Sequence, residues 1–204
     1  MPIYLIRHGE TDANAQRVFQ RPDNPLNATG IAQAEQLAER LEHEPIELIL
    51  ASDYDRAAHT ARTIARFCGA PVQLDGDLQE RNFGDLRGRA YSDVGPEIFA
   101  PDYEPPNGET WTQFVARVGR AWSRVHALAQ GRNGSLAVVT HGLVCRALIQ
   151  NFITLEPPLL PPARGFRNCS LTVIEPEPPF RVRLLDCCSH LPNLESARPG
   201  ISGI

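Results

Sequence analysis

The sequence predicts an α/β fold, a three-layer sandwich with a mostly parallel central sheet flanked by helices. Three observations lead there. Short, continuously apolar runs alternate with longer segments whose apolar residues recur at helical spacing. Polar, chemistry-bearing residues follow several of the apolar runs directly. No linker separates two hydrophobic cores, so the 204 residues read as one domain, 1–204, with 191–204 a loose tail of little apolar pattern.

The elements follow in order. Ile3, Tyr4, Leu5 and Ile6 form a short buried strand that breaks at Arg7-His8-Gly9. Ile31, Ala34, Leu37, Ala38 and Leu41 recur at helical spacing over 28–43, with Thr29 as the expected cap and Pro45 just beyond. Residues 48–51 are a second strand, 54–68 a second helix stopped by Gly69, and 72–74 a third strand. The Gly, Pro and Asp content of 80–108 predicts loop, with one short helix near 92–99. A long helix covers 111–130 through Phe114, Val118, Trp122 and Val125. Leu136-Ala137-Val138-Val139 is the next strand, ending in Thr140-His141-Gly142, and a helix runs from 143 to about 152. Prolines dominate 157–179 around a strand at 171–174, which 182–185 can join as an antiparallel edge hairpin.

Composition narrows the chemistry. All 20 basic side chains are arginine, so Schiff-base lysines and the lysine of a P-loop are excluded. A formal charge of −4 argues against a nucleic-acid partner. No apolar run approaches a membrane span, and the amino terminus lacks the pattern of a signal peptide, so no membrane partner and a cytoplasmic location are expected. Five cysteines without CxxC spacing suggest neither a disulfide framework nor a zinc ribbon. Whether the chain forms a homodimer is left open.

In sheets of this kind ligands bind beyond the carboxyl ends of the strands. Arg7, His8, Glu10 and Thr11 follow the first strand, Ser52, Asp53 and Arg56 the second, Glu80 and Arg81 the third, and Thr140 and His141 the fourth. Arginine forks match phosphate oxygens and stay charged. Neutral imidazole is a nucleophile, and adjacent arginines keep it neutral by disfavouring a further positive charge. A carboxylic acid can protonate a leaving alkoxide and then, as carboxylate, activate water. Phosphoryl transfer through a phosphohistidine needs this set.

The segment from Arg7 to Thr11, with Asn14 and Phe19 after it, resembles the opening signature of the phosphoglycerate mutase-like histidine phosphatases. Pro25 to Gly30 with Gln33-Ala34, Ser52-Asp53 through Arg56-Ala57, Glu80 with Phe83-Gly84, and Val139 to Gly142 are similar to the later blocks of that family, in order. The resemblance implies that His8 attacks phosphorus, that Arg7, Arg56 and His141 hold the equatorial oxygens, and that Glu80 is proton donor and then base. Asn14 would line the pocket. It also implies a small phosphorylated substrate and activity with no metal or other cofactor. Glycolytic mutases of the family carry tryptophan at the position of Ala13 and lysine at that of Tyr91, so a phosphatase is expected rather than a mutase.

Further substrate contacts are expected from Thr11, from Gln20 and Arg21, and from the insertion 89–110, in which Glu109 is the candidate. Arg81 or Arg87 could meet an acidic group remote from the scissile phosphate. His59, His43 and His126 read as surface or solvated residues, and His190 with Cys187 and Cys188 lacks zinc spacing. A magnesium-dependent aspartyl nucleophile at Asp53 is disfavoured, because Arg56 stands where that motif wants threonine or valine and no later lysine exists. Mutase-type transfer, or a non-catalytic phosphate-binding protein on the same fold, are the remaining alternatives.

Overall fold

The structure, a computed structural model, describes residues 1–100, 102–162 and 165–191. Every residue of β1 (Ile3–Arg7) is buried, and successive apolar side chains enter opposite cores: Ile3 and Leu5 one, Tyr4 and Ile6 the other. The same alternation runs through β2 (Ile46–Ala51) and β4 (Ser135–Thr140), which explains why these strands read as unbroken apolar runs. Helices α2 (Ala28–Leu41) and α3 (Asp55–Cys68) cover one face with Leu37, Leu41, Ala61 and Ile64. Helices α4 (Trp111–Ala129) and α5 (Gly142–Asn151) cover the other with Phe114, Val118, Val144 and Leu148. Burying a side chain of this size contributes about 1.5–3 kcal/mol, so two such faces secure the sandwich.

With β3 (Val72–Leu74), β5 (Leu171–Ile174) and β6 (Val182–Cys187), the sheet has the order β3-β2-β4-β1-β5-β6. The four strands from β3 to β1 are parallel, while β5 and β6 add an antiparallel edge. The strand order places β1, β4 and β2 side by side, so the residues after them emerge together at one edge.

Several local expectations change. Asn27, not Thr29, caps α2: its side chain accepts from Gly30 N at 2.8 Å, and Thr29 lies inside the first turn. A short helix, α1 (Asp12–Gln16), follows β1 on a capping box between Thr11 and Asn14. The 80–108 stretch, expected as loop with one helix, holds 3-10 turns at Gly84–Leu86, Tyr91–Asp93 and Pro96–Phe99. His126 is not simply solvated, since its ring packs edge-on against Phe180 at 4.9 Å. The expected loose tail lies outside the described residues except for Leu191, which is buried in the core on the α2 and α3 face of the sheet. No helix among the described residues is long and apolar enough to cross a membrane.

Candidate active site

His8 leaves the end of β1 with its own N–H bonded to Thr140 O, in continuation of the β1–β4 ladder. Its Nδ1 lies 2.7 Å from Gly9 O. A carbonyl oxygen only accepts, so Nδ1 carries the proton and Nε2 the lone pair. Gly9 N in turn donates to Thr60 Oγ1, and Asn168 Nδ2 donates to His8 O, so both sides of the turn are fixed.

Arg56 donates from Nε to that Nε2 at 3.3 Å and from Nη1 to Arg21 O at 2.9 Å. It is 1% exposed and sits in the first turn of α3, where the helix dipole disfavours a cation. Burial lowers its pKa to about 10, which leaves it charged at neutral pH. Arg7 is equally buried; it donates to Phe166 O, while its Nε has no hydrogen-bond partner among the described residues. Two cations thus face the imidazole, and burial first, then Arg56 and Arg7, hold the His8 pKa well below the usual histidine value.

His141 occupies the cap position of α5, its ring centroid 5.1 Å from that of His8. Its Nε2 pairs with Ser52 Oγ at 2.8 Å, whereas Nδ1 is buried without a partner among the described residues. Burial, and then Arg56, keep this imidazole neutral as well. Glu80 accepts from Arg81 N through Oε1 and from Leu143 N, at the start of α5, through Oε2. Burial raises its carboxyl pKa against the pull of these donors and of Arg56 and Arg7. The arrangement is a neutral imidazole with a lone-pair nitrogen held by Arg56, a carboxyl that holds its proton longer than usual, and nitrogens on Arg7 and His141 without partners among the described residues. It suits an oxyanion with two or more acceptor oxygens.

A pocket open to solvent reaches Arg7, His8 and Glu80, with Arg56 and His141 behind its wall. It is lined by Arg7, His8 and Glu80, by Asn14 and Gln20, and by Phe19, Tyr54, Arg81, Phe83, Arg87, Tyr91 and Leu143. The expected Asn14 and Gln20 are therefore present. Thr11 stands behind them: fully buried, it accepts from Asn14 N and donates to Gln20 Oε1, so it orients the wall rather than forming it.

Arg21 and Glu109 do not line the pocket. The Arg21 side chain is exposed, and its carbonyl holds Arg56. Glu109 is consumed by an ion pair with Arg117 at 2.8 Å. Arg81 lines the pocket yet is committed, donating to Glu109 O and Tyr103 O and lying over Phe83 and Trp111. Among the described residues of the 89–110 insertion, Tyr91 reaches the pocket, while Glu109 N bonds Asn82 O and ties the start of α4 to the Glu80 segment.

Ser52, Tyr54, Thr60 and Asn168 are contributors that sequence reasoning did not single out as site residues. Ser52 stands among the residues after the second strand, but nothing in the sequence pairs it with His141; Asn168 lies in a proline-flanked segment with no such signal. The rival Asp53 is exposed and bonded to Gln79 Nε2. His190 meets Arg40 and Cys169 O, and no group of three or more His, Cys, Asp or Glu that could hold a metal ion occurs among the described residues.

Known proteins share this organisation. The model of the histidine phosphatase superfamily, branch 1, matches residues 3–184. A probable phosphoglycerate mutase, GpmB, of Enterobacter sp. (strain 638) is 35% identical over 86% of this chain and 85% of its own. The adenosylcobalamin/alpha-ribazole phosphatase of Salmonella typhimurium is 34% identical over 76% of this chain and 81% of its own. The solved mycobacterial glucosyl-3-phosphoglycerate phosphatase Rv2419c, in complex with VO3, superimposes with a TM-score of 0.74 at 27% identity, covering 90% of this chain and 96% of that one.

Proposed function

The chain belongs to the histidine phosphatase superfamily and is a phosphatase of that type; from this premise we propose that it hydrolyses small phosphomonoesters through a phosphohistidine on His8, without a metal ion. One observation carries the reading: Nδ1 of His8 is held by Gly9 O, so Nε2 presents its lone pair among Arg56, Arg7 and His141.

Nε2 attacks phosphorus in line and the bond to the leaving alcohol breaks. Glu80 enters protonated, as its raised pKa favours, and gives its proton to the departing alkoxide. Arg7, Arg56 and the open Nδ1 of His141 take the equatorial oxygens. Fixed cations in a desolvated site supply the charge that a metal would otherwise bring. In the second half, Glu80 as carboxylate takes a proton from water, the oxygen attacks phosphorus, and the P–N bond breaks to release inorganic phosphate and neutral His8.

Chelator-treated enzyme mixed with a 32P-labelled phosphomonoester and quenched within milliseconds tests this. An acid-labile, alkali-stable phosphoenzyme is expected in the wild type and absent from His8→Ala. Undiminished hydrolysis by His8→Ala, or turnover that returns only with magnesium, overturns it. The GpmB name carried by several relatives raises the mutase alternative. Ala13 and Tyr91, in place of the mutase tryptophan and lysine, support hydrolysis instead. Phosphoryl transfer between phosphoglycerates faster than release of phosphate would reverse that preference.

A further inference from the structure

Arg87 lines the same pocket as His8 and Glu80. Its Nη2 donates to Tyr54 Oη at 2.9 Å, and it has no carboxylate partner among the described residues. This sets it apart from nearby arginines: Arg117 is paired with Glu109, Arg120 and Arg124 with Asp77, and Arg81 is locked onto two carbonyls. A neutral hydroxyl fixes the position of Arg87 without cancelling its charge. Tyr54 is fixed in its turn, its ring 5.4 Å from that of His141 and 5.1 Å from the Arg56 guanidinium carbon. One rigid aromatic ring therefore spans the gap between the phosphate-binding group and a second, uncompensated cation.

We propose that Arg87, held by Tyr54, is a second anion-recognition point, and that the preferred substrates carry an additional oxyanion, a carboxylate or a second phosphate, on the alcohol that leaves. This rests on the hydrolase reading above. Arg7, His8, Arg56, Glu80 and His141 are occupied with the scissile phosphate, so the remaining wall, including Phe83, Arg87 and Tyr91, meets the alcohol. A guanidinium fork accepts either oxyanion, so substrate comparison must tell the two apart. The Arg21 guanidinium lies against Gly88, where a Cβ would be 3.3 Å from Nη2, and brings another positive charge to the Arg87 segment.

The test compares kcat/KM for three phosphomonoesters on a three-carbon skeleton: glycerol 3-phosphate, 3-phosphoglycerate and propanediol bisphosphate. Wild type is expected to favour the carboxylate or the bisphosphate compound over glycerol 3-phosphate by about tenfold or more. Arg87→Gln should reduce that ratio to within about twofold, Arg87→Lys should keep part of it, and Tyr54→Phe should lower it while leaving the ring against His141. Which charged compound wins identifies the oxyanion. Equal use of all three by wild type, or a ratio unchanged in Arg87→Gln, overturns the proposal. Failure of the hydrolase reading looks different: no compound is turned over and no phosphohistidine forms. Calorimetric binding of the same three compounds to His8→Ala then gives the ratio directly, and equal affinities overturn the proposal there too.

Discussion

Arg56 Nε donates to His8 Nε2 across 3.3 Å, so a buried guanidinium points at the lone pair proposed as the nucleophile. Burial, and then this contact, hold the imidazole pKa well below its usual value, and in the proposed mechanism the same guanidinium meets the phosphoryl oxygens. It also explains a cation in the first turn of α3, where helix electrostatics alone would place an acid.

Arg56→Gln is expected to lower kcat/KM by about 100–1,000-fold, the scale of losing one charged donor to a transition state. Arg56→Lys should recover little, because a point charge cannot reproduce the two directed N–H groups used on His8 and on Arg21 O. Since Arg56 depresses the His8 pKa, its loss raises that pKa. The acid limb of the pH profile should move toward higher pH in Arg56→Gln, and an unmoved limb would sever the electrostatic link.

Both His8 and His141 have pKa values pushed well below 6.5 by burial and nearby arginines. Below about 6.5 the unfolded chain binds protons that the native state refuses, so stability rises with pH in that range and falls on acidification. Each histidine contributes a slope of up to about 1.4 kcal/mol per pH unit. Glu80 acts in the opposite sense: its raised pKa makes the native state the better proton binder above about 4.5. Urea titrations between pH 5 and 7 should show acid destabilisation of wild type, with a shallower slope in His141→Gln.

Ser52 Oγ pairs with His141 Nε2 at 2.8 Å in a fully buried setting. Ser52→Ala leaves that nitrogen unsatisfied, at a cost of about 1–3 kcal/mol in stability. Because the ring then loses its orienting partner, kcat should fall more than KM rises. Steady-state kinetics with denaturant melts separate the two effects, and a pure stability loss would remove Ser52 from the positioning of His141.

Gly30 packs backbone to backbone on the turn after His8: a Cβ there would lie 2.0 Å from Glu10 O, and one on Gly9 would lie 2.5 Å from Gly30 O. Neither neighbour is a flexible side-chain tip. Gly30→Ala should destabilise by about 2–4 kcal/mol or prevent soluble expression, measured by urea unfolding. A near-neutral result would mean that α2 can shift without disturbing His8.

Much was legible in advance wherever the cause is local. The apolar runs at 3–6, 48–51 and 136–139 are strands because both of their faces are buried, and such runs need no partner to be recognised. The helix ending at Gly69 follows from a left-handed cap at φ 73° that glycine adopts without strain. Asn27 was passed over for Thr29 because both residues cap well, and which is used depends on where the Asn27–Glu10 bonds anchor the chain. Glu109 and Arg21 were misplaced because an exposed-looking charge in a loop reads the same whether it meets substrate, solvent or Arg117.

By itself the sequence determined the alternation of strand and helix, the residues that follow each strand, and hence the inventory of two histidines, arginines and a carboxylate at one sheet edge. These depend on periodicity and on the rule that parallel strands deliver their successors to one side. Tertiary structure alone decided the rest. Inserting β4 between β1 and β2 brought His141 within 5.1 Å of His8, and burial set both imidazoles neutral. Contacts between residues 8 to 33 positions apart then sorted the arginines into Arg81, bound to backbone carbonyls, Arg117, bound to Glu109, and Arg87, held by the Tyr54 hydroxyl at the pocket. Charge state, partner and orientation are properties of what surrounds a side chain, and those surroundings come from residues far away in the sequence.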